Sequence, residues 1–348
     1  MSFTTSIISW NSSENNRSMP WKGAKDPYKI WLSEIILQQT RVAQGLPYYE
    51  KFIQNFPTIF DLANAEDQFV FKLWEGLGYY NRCRNLLFTA RYIVENYDGI
   101  FPKNYEQIIE LKGIGPYTAA AIASFAFQLP YAVLDGNVYR VLSRYFGIET
   151  PSDSPEGEKI FAKLAQDNLD KKKPGVYNQA IMDFGATICL PAIPKCNQCI
   201  LSKDCTALAL GLINKLPIKE KILKKKTRYF TWFVFRVNDQ IFIQQRRAKD
   251  IWENLYEFFL VESEGKPNWE NKSVNEWLEN QFKQHPKELE ISPVLSQQLT
   301  HQKIFAQFIQ ISLDRMPVQL PKANWLNIKN LTHFGFPKLC KEFIEQNF

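Results

Sequence analysis

The stretch "LKGIGPYTAAAIASFAF" (Leu111–Phe127) places two glycines on either side of one apolar residue and then runs into an alanine-rich segment. Gly113-Ile114-Gly115 allows backbone amides to face outward, and a helix starting near Tyr117 adds the positive end of its dipole. Amides and dipole together suit a single phosphate, held without any reading of base sequence. Taken alone, the same pattern also serves as a tight turn between two helices. Either way it predicts helix, hairpin, helix, and the flanking sequence agrees.

From Asp26 to about Gly147 the chain reads helical. In "DPYKIWLSEIILQQT", Asp26 is a fitting N-cap and Pro27 sits in the first turn. "PYYEKFIQNF", "EDQFVFKLWEGLG", "RNLLFTARYIVENY" and "NYEQIIEL" follow as short helices broken by Pro and Gly, and "GNVYRVLSRYFG" closes on Gly147. No strand pattern occurs before the cysteine-rich segment, so residues 1–208 are expected to form an all-α domain. Residues 209–228 read as a linker, with Pro217 and the run Lys224–Lys226. Beyond it the period changes: "YFTWFVFRV" and "QIFIQQRR" alternate or run apolar around a turn at "NDQ". Residues 229–348 are therefore expected to be α+β, with helices at "SVNEWLENQF" and near Phe348.

Composition sets the outer limits. A chain of 348 residues can bury two cores, and 45% hydrophobic with 22% charged residues is a globular balance. The net charge of +6 is compatible with a polyanionic partner without requiring one. The amino-terminal residues lack the basic start and apolar run of a signal peptide, and no window has the length of a membrane helix. A soluble monomer in the cytoplasm is the expectation.

Six cysteines are too few for a disulfide scaffold at this length. Cys83 and Cys340 stand apart, whereas Cys189, Cys196, Cys199 and Cys205 crowd into "CLPAIPKCNQCILSKDC" with spacers of six, two and five residues. Four thiolates so close in a reducing compartment point to a shared metal, and both zinc and a [4Fe–4S] cluster accept four sulfurs. Structural zinc commonly uses two C-x-x-C knuckles, and only one is present. Two carboxylates complete the set. Asp135, in "VLDGNVYRVL", precedes a helix whose free amides favour its ionised form. Glu34 lies within the apolar "WLSEIILQQT", either solvated on the outer face or buried with a raised pKa, and the second case would make it a proton donor near neutral pH.

Helix-hairpin-helix, an Asp about twenty residues beyond it, and four cysteines in 6-2-5 spacing resemble the endonuclease III family of DNA glycosylases. Within it the chain is similar to the adenine DNA glycosylases of the MutY type. The likeness runs through "MPWKGAKDPYKIWLSEIILQQTRV", "WEGLGYYNRCRNL", "LKGIGPYTAAAI", "VLDGNVYRVLSR", "YNQAIMDFGATIC" and the cysteine segment. It implies a six-helix barrel module at about 23–130 and an iron–sulfur module from 1–22 plus 131–208, with DNA across the cleft between these two. It also implies a Nudix-like domain over 229–348 that recognises 8-oxoguanine.

The resemblance further implies base excision repair in a bacterial cytoplasm, with adenine opposite 8-oxoguanine or guanine flipped out of duplex DNA. Glu34 would protonate the base, Asp135 would stabilise charge on the sugar, and Asn137 would orient Asp135 or the adenine edge. Cys189, Cys196, Cys199 and Cys205 would hold a [4Fe–4S] cluster. Gln39 and Tyr79 match residues that wedge into the duplex, with Gly113 and Gly115 on its backbone. Arg17, Trp21 and Gln179 match the adenine pocket. Relatives that cut the strand carry a lysine where this chain has Tyr117; without that amine, base removal alone is expected, with Tyr117 lining the active site. Leu299-Thr300-His301 stands where relatives carry Phe-Ser-His, so the resemblance implies that Thr300 and His301 would read the lesion, with the aromatic lost. The domain lacks the glutamate-rich helix of a working Nudix hydrolase.

Overall fold

The computed structural model describes residues 2–220 and 225–348. Lys224, part of the lysine run in the linker, lies outside the described residues. Two compact units result: residues 1–64 with 85–222, and residues 65–84 with 223–348.

The first unit is helical. In order it contains α1 (Phe3–Ser13), α2 (Pro27–Leu37), α3 (Val42–Asn55) and α4 (Ile59–Asn64). After α5 (Asp67–Leu73), which belongs to the second unit, come α6 (Asn81–Tyr97), α7 (Tyr105–Glu110), α8 (Pro116–Phe127), α9 (Gly136–Phe146), α10 (Pro155–Asp167), α11 (Pro174–Thr187) and α12 (Thr206–Ala209). Local chemistry sets several ends. Asp26 caps α2 by accepting from the Tyr28 amide, with Pro27 at the first position. Gly147 ends α9 in the left-handed region. Helix α8 is buried from Thr118 to Ser124. Its run of alanines offers no bulk, so α2 and α11 both pack closely against it. Phe3, Ile7 and Trp10 of α1 join Val138, Phe161 and Phe184 in one core. The chain's first helix thus packs with its helices beyond Asp135.

The second unit is α+β. Strand β1 (Lys226–Val237) takes the last residues of the expected linker into the sheet. It is followed by β2 (Gln240–Phe242), β3 (Gln244–Gln245), β4 (Tyr256–Glu257), β5 (Phe259–Ser263), α13 (Asn271–Phe282), β6 (Glu288–Ile291), β7 (Leu295–Gln298), β8 (Gln302–Ser312), β9 (Trp325–Asn327) and α14 (Lys338–Asn347). The larger sheet runs β6-β8-β1-β2-β9, with β5 also on β1 and β7 also on β8; β3 and β4 form a separate pair. β1 and β8 are parallel, Lys226 opposite Gln302 and Arg236 opposite Ser312, and the other pairs are antiparallel. Phe233, Phe235, Phe282 and Ile309 lie in the core of one face.

Residues 65–84 gather with this unit through specific bonds. The Glu75 carboxylate accepts from the Phe336 amide at 2.8 Å and pairs with Lys72 and Lys341 at 3.0 and 3.4 Å. Lys72 also donates to the Phe334 carbonyl, and Arg84 pairs with Glu253.

Candidate active site

Helix α2 is apolar on nearly every face, so Ile30 to Ile36 are all buried, Ser33 and Glu34 included. Glu34 is only 6% exposed. An apolar surrounding disfavours the charged form, and burial pushes this carboxyl up to about 7. The nearby Asp135 charge pushes the same way. The Tyr117 hydroxyl opposes both, donating to Glu34 Oε2 at 2.6 Å. Tyr117 itself is held well above the ordinary phenol range by burial and by the two carboxylates, so it remains a donor.

Asp135 is the N-cap of α9. It accepts from the amides of Asn137 and Val138 at 2.9 and 2.8 Å and from Asn137 Nδ2 at 2.6 Å. These are the bonds that the sequence expects to keep it ionised. Burial nonetheless outweighs them, and the Arg140 guanidinium with them, so the carboxyl lies above its ordinary value. Arg140 in turn donates to Asn137 Oδ1 at 2.9 Å, to the Gly185 carbonyl at 2.7 Å and to the Cys189 carbonyl at 2.7 Å. Gly185 has no room for a side chain: a Cβ there would lie 2.7 Å from Asn137 Cβ. Asn137 is therefore fixed from three sides, by Asp135, by Arg140 and by the close approach of α11.

Glu34 opens into a cleft of about 180 Å³ whose walls include Trp21, Lys22, Lys25, Phe125 and Gln179. Trp21 is buried, its ring edge against Tyr49 with centroids 5.0 Å apart. Arg17 is not on this wall. It pairs with Asp183 at 2.7 Å, and the same fully buried carboxylate accepts from Lys22 at 2.9 Å, Gln179 at 3.0 Å and Asn15 at 2.9 Å. Asp183 is the residue that sequence reasoning missed. Its signal was available: an acid four places after Gln179 in the otherwise apolar "QAIMDFGAT" needs a buried counter-charge.

The cysteine loop suits a bound cluster by the chemistry of its donors. Burial, followed by the neighbouring Cys189, Cys205 and Cys196, pushes the Cys199 thiol up to about 11. Burial raises the Cys205 thiol as well, and a bound cation among the sulfurs would favour the thiolate form that ligation requires. Arg144, 2% exposed, donates to the carbonyls of Leu190 and Pro191 at 2.7 and 2.8 Å and to Cys189 Sγ at 3.5 Å. Two guanidiniums thus stand beside the loop, Arg140 at the Cys189 carbonyl and Arg144 at Cys189 Sγ. Among the described residues no group of three or more His, Cys, Asp or Glu is placed to hold a single metal ion. A cubane spreads four thiolates over four irons, a different demand from that of one ion.

At the hairpin, Gly113 has φ +83°, where a side chain would be strained and would also meet Asn85. Gly115 is the N-cap of α8, with Pro116 in its first turn. Gln39, exposed just past the end of α2, also takes a left-handed backbone, φ 55°. Within the second unit Tyr79 does the same, φ 48°, and is 37% exposed. Its hydroxyl bonds to Thr300 Oγ1 in the turn between β7 and β8, where His301 is exposed. The structure thus brings Glu34, Tyr117, Asp135 and Asn137 together, brings Trp21 and Gln179 to the same cleft, and joins Tyr79 to Thr300.

Residues 32–167 match the model of the HhH-GPD superfamily of base excision DNA repair proteins, and residues 231–346 match that of the NUDIX domain. Fold and site together define a helix-hairpin-helix enzyme of base excision DNA repair, followed along the chain by a Nudix-type domain. The adenine DNA glycosylase of Buchnera aphidicola subsp. Acyrthosiphon pisum is 33% identical across 99% of this chain and 97% of its own; that of Buchnera aphidicola subsp. Baizongia pistaciae is 35% identical across 96% and 93%. The chain belongs to the adenine DNA glycosylase family. The Homo sapiens adenine DNA glycosylase is 43% identical over 59% of this chain and 39% of its own. Among solved structures, a thermostable thymine-DNA glycosylase superposes with a TM-score of 0.55 at 32% identity, covering 60% of this chain and 95% of its own. Endonuclease III in a non-covalent DNA complex gives 0.52 at 18% identity, covering 60% and 94%, a likeness of fold alone.

Proposed function

We propose that this protein removes adenine mispaired with 8-oxoguanine or guanine by hydrolysing its N-glycosidic bond in duplex DNA, and that it stops at the abasic site. The observation that carries the reading is the buried Glu34, poised near 7, bonded to Tyr117 and facing a cleft lined by Trp21 and Gln179. Adenine leaves poorly as an anion, and a proton on its ring makes it a neutral leaving group. Glu34 supplies that proton. As the bond lengthens the sugar becomes cationic, and the Asp135 carboxylate, held by Asn137, would lower the energy of that charge. The base must leave the stack to reach Glu34, which requires flipping. Gly113 and Gly115 would hold a phosphate, Gln39 and Tyr79 would enter the duplex, and Thr300 with His301 would read the oxidised base. The pocket wall is set by Trp21 and Gln179, with Arg17 acting through Asp183.

Three lysines that could stand in for the missing amine are each engaged elsewhere. Lys112 lies over the Phe88 ring at 4.2 Å, Lys22 is paired with Asp183, and Lys25 donates to the Phe125 carbonyl. Cys189, Cys196, Cys199 and Cys205 would hold a [4Fe–4S] cluster. When bound, it supplies a charged anchor for this loop and no part of the hydrolysis. Among the described residues no helix is long and apolar enough to cross a membrane, and the Buchnera relatives suit a DNA-bound life in a bacterial cytoplasm. The test is an end-labelled duplex containing adenine opposite 8-oxoguanine, incubated with protein and divided between hot alkali and no alkali. Strand breaks confined to the alkali sample are expected. Breaks in both would mean that an amine does form a Schiff base, and the one-step reading of Tyr117 would be wrong.

A further inference from the structure

Arg82 is 8% exposed, yet it stands in the first turn of α6. Both facts run against stability. Burying a guanidinium is costly, and a cation at a helix N-terminus opposes the dipole. Local rules broken together commonly mark function. The guanidinium lies 5.3 Å from the centroid of the Trp74 ring and 5.3 Å from that of the Tyr79 ring. Its Nη2 points at the carbonyls of Leu77 and Gly78, at 3.5 and 3.4 Å. The loop is wound around it: Trp74 Nε1 donates to the Gly78 carbonyl at 3.0 Å, and the Gly76 amide to Tyr80 Oη at 3.1 Å. Gly76, Gly78 and Tyr79 all take left-handed backbone, φ 92°, 75° and 48°. Glycine takes that conformation freely and tyrosine does not, so something must hold Tyr79 there.

We propose that Arg82 is the positioning residue of Tyr79: its guanidinium, shared between the Trp74 and Tyr79 rings, fixes the tyrosine in the orientation from which it enters the duplex at the mispair. This rests on the reading of Tyr79 as a duplex-entering residue. In this role Arg82 acts through the tyrosine and not on the reacting atoms. The flat guanidinium suits the task, because it can face an aromatic ring and aim N–H groups at carbonyls in its own plane. A lysine provides the charge without the plane.

The experiment measures Kd for a duplex carrying an adenine–guanine mispair and for its fully matched counterpart, by fluorescence anisotropy. The preference for the mispair is compared among wild type, Arg82→Met, Arg82→Lys, Tyr79→Leu and the double variant Tyr79→Leu/Arg82→Met. Losing one buried cation–π contact is expected to reduce the preference about tenfold in Arg82→Met and less in Arg82→Lys. The double variant should do no worse than Tyr79→Leu, since the arginine acts only through the tyrosine. Thermal melting runs beside it, and if Arg82→Met does not fold, Arg82→Lys takes its place in the cycle. A lower melting temperature with an unchanged preference would make Arg82 a loop staple and overturn the proposal. So would losses that multiply in the double variant. If Tyr79→Leu alone kept the full preference, the reading of Tyr79 would fall, and the role of Arg82 with it.

Discussion

Replacing Tyr117 by Phe removes one hydroxyl and leaves the ring. In the wild type that hydroxyl donates to Glu34 at 2.6 Å and favours the ionised carboxylate, against the burial that raises it to about 7. A hydrogen bond to a charged group contributes about 1.5–3 kcal/mol. At about 1.4 kcal/mol per pH unit, its loss should lift the Glu34 midpoint by about one to two units. Glu34 acts in its protonated form, so excision falls as pH rises through its pKa, and the variant should hold its rate further into alkali. Single-turnover excision of adenine opposite guanine, with enzyme in excess, measures this from acid to alkaline pH. Normalising each protein to its own acid plateau removes any general loss of activity. A midpoint that stays in place or moves down would refute both the bond's role and the assignment of Glu34 as the acid.

Glu34→Gln should abolish excision while leaving duplex binding nearly intact. It should also change stability with pH. The folded value of about 7 lies above the ordinary 4.5, so the protonated carboxyl's contribution is full below 4.5 and is lost as pH rises through 7. That loss is of order 3 kcal/mol, and melting curves should show the variant losing less stability than wild type between pH 5 and pH 8. Gly185→Ala would drive a Cβ into Asn137 and shift the cap on Asp135. Single-turnover rates should drop about ten- to hundredfold with little change in duplex affinity. Asp183→Ala leaves Arg17 and Lys22 without their shared carboxylate, at a cost of about 3 kcal/mol by chemical denaturation.

Much of this was legible because the chemistry is local. The N-caps at Asp26 and Asp135, the left-handed Gly113 and Gly147, and the cysteine spacing are each decided within a few residues. Glu34 was legible for a related reason: a carboxyl in an apolar helix must be either solvated or perturbed. What sequence did not reveal depends on distant partners. Asp183 meets Arg17 across 166 positions, and nothing near either residue indicates the other. Arg140 reads as one more charge on an amphipathic helix until the Cys189 carbonyl and Asn137 are found on either side of it. The rise of the Asp135 carboxyl was not legible, because its caps are visible in sequence and its burial is not.

The grouping of residues 65–84 with 223–348 also has a meaning in time. During synthesis this segment leaves the ribosome long before the residues that it packs against. Phe71, Trp74 and Leu77 are buried in the finished protein, and Glu75 is bonded to Phe336 and Lys341. At about 5–20 residues per second, the stretch from Arg84 to Phe336 takes tens of seconds to emerge. For that interval Glu75 and Lys72 stand without the Phe336 amide, the Phe334 carbonyl and the Lys341 ammonium that they bond in the finished protein. A chain shortened at the linker would never form those bonds. The loop that presents Tyr79 would then lose its footing together with the domain that holds Thr300.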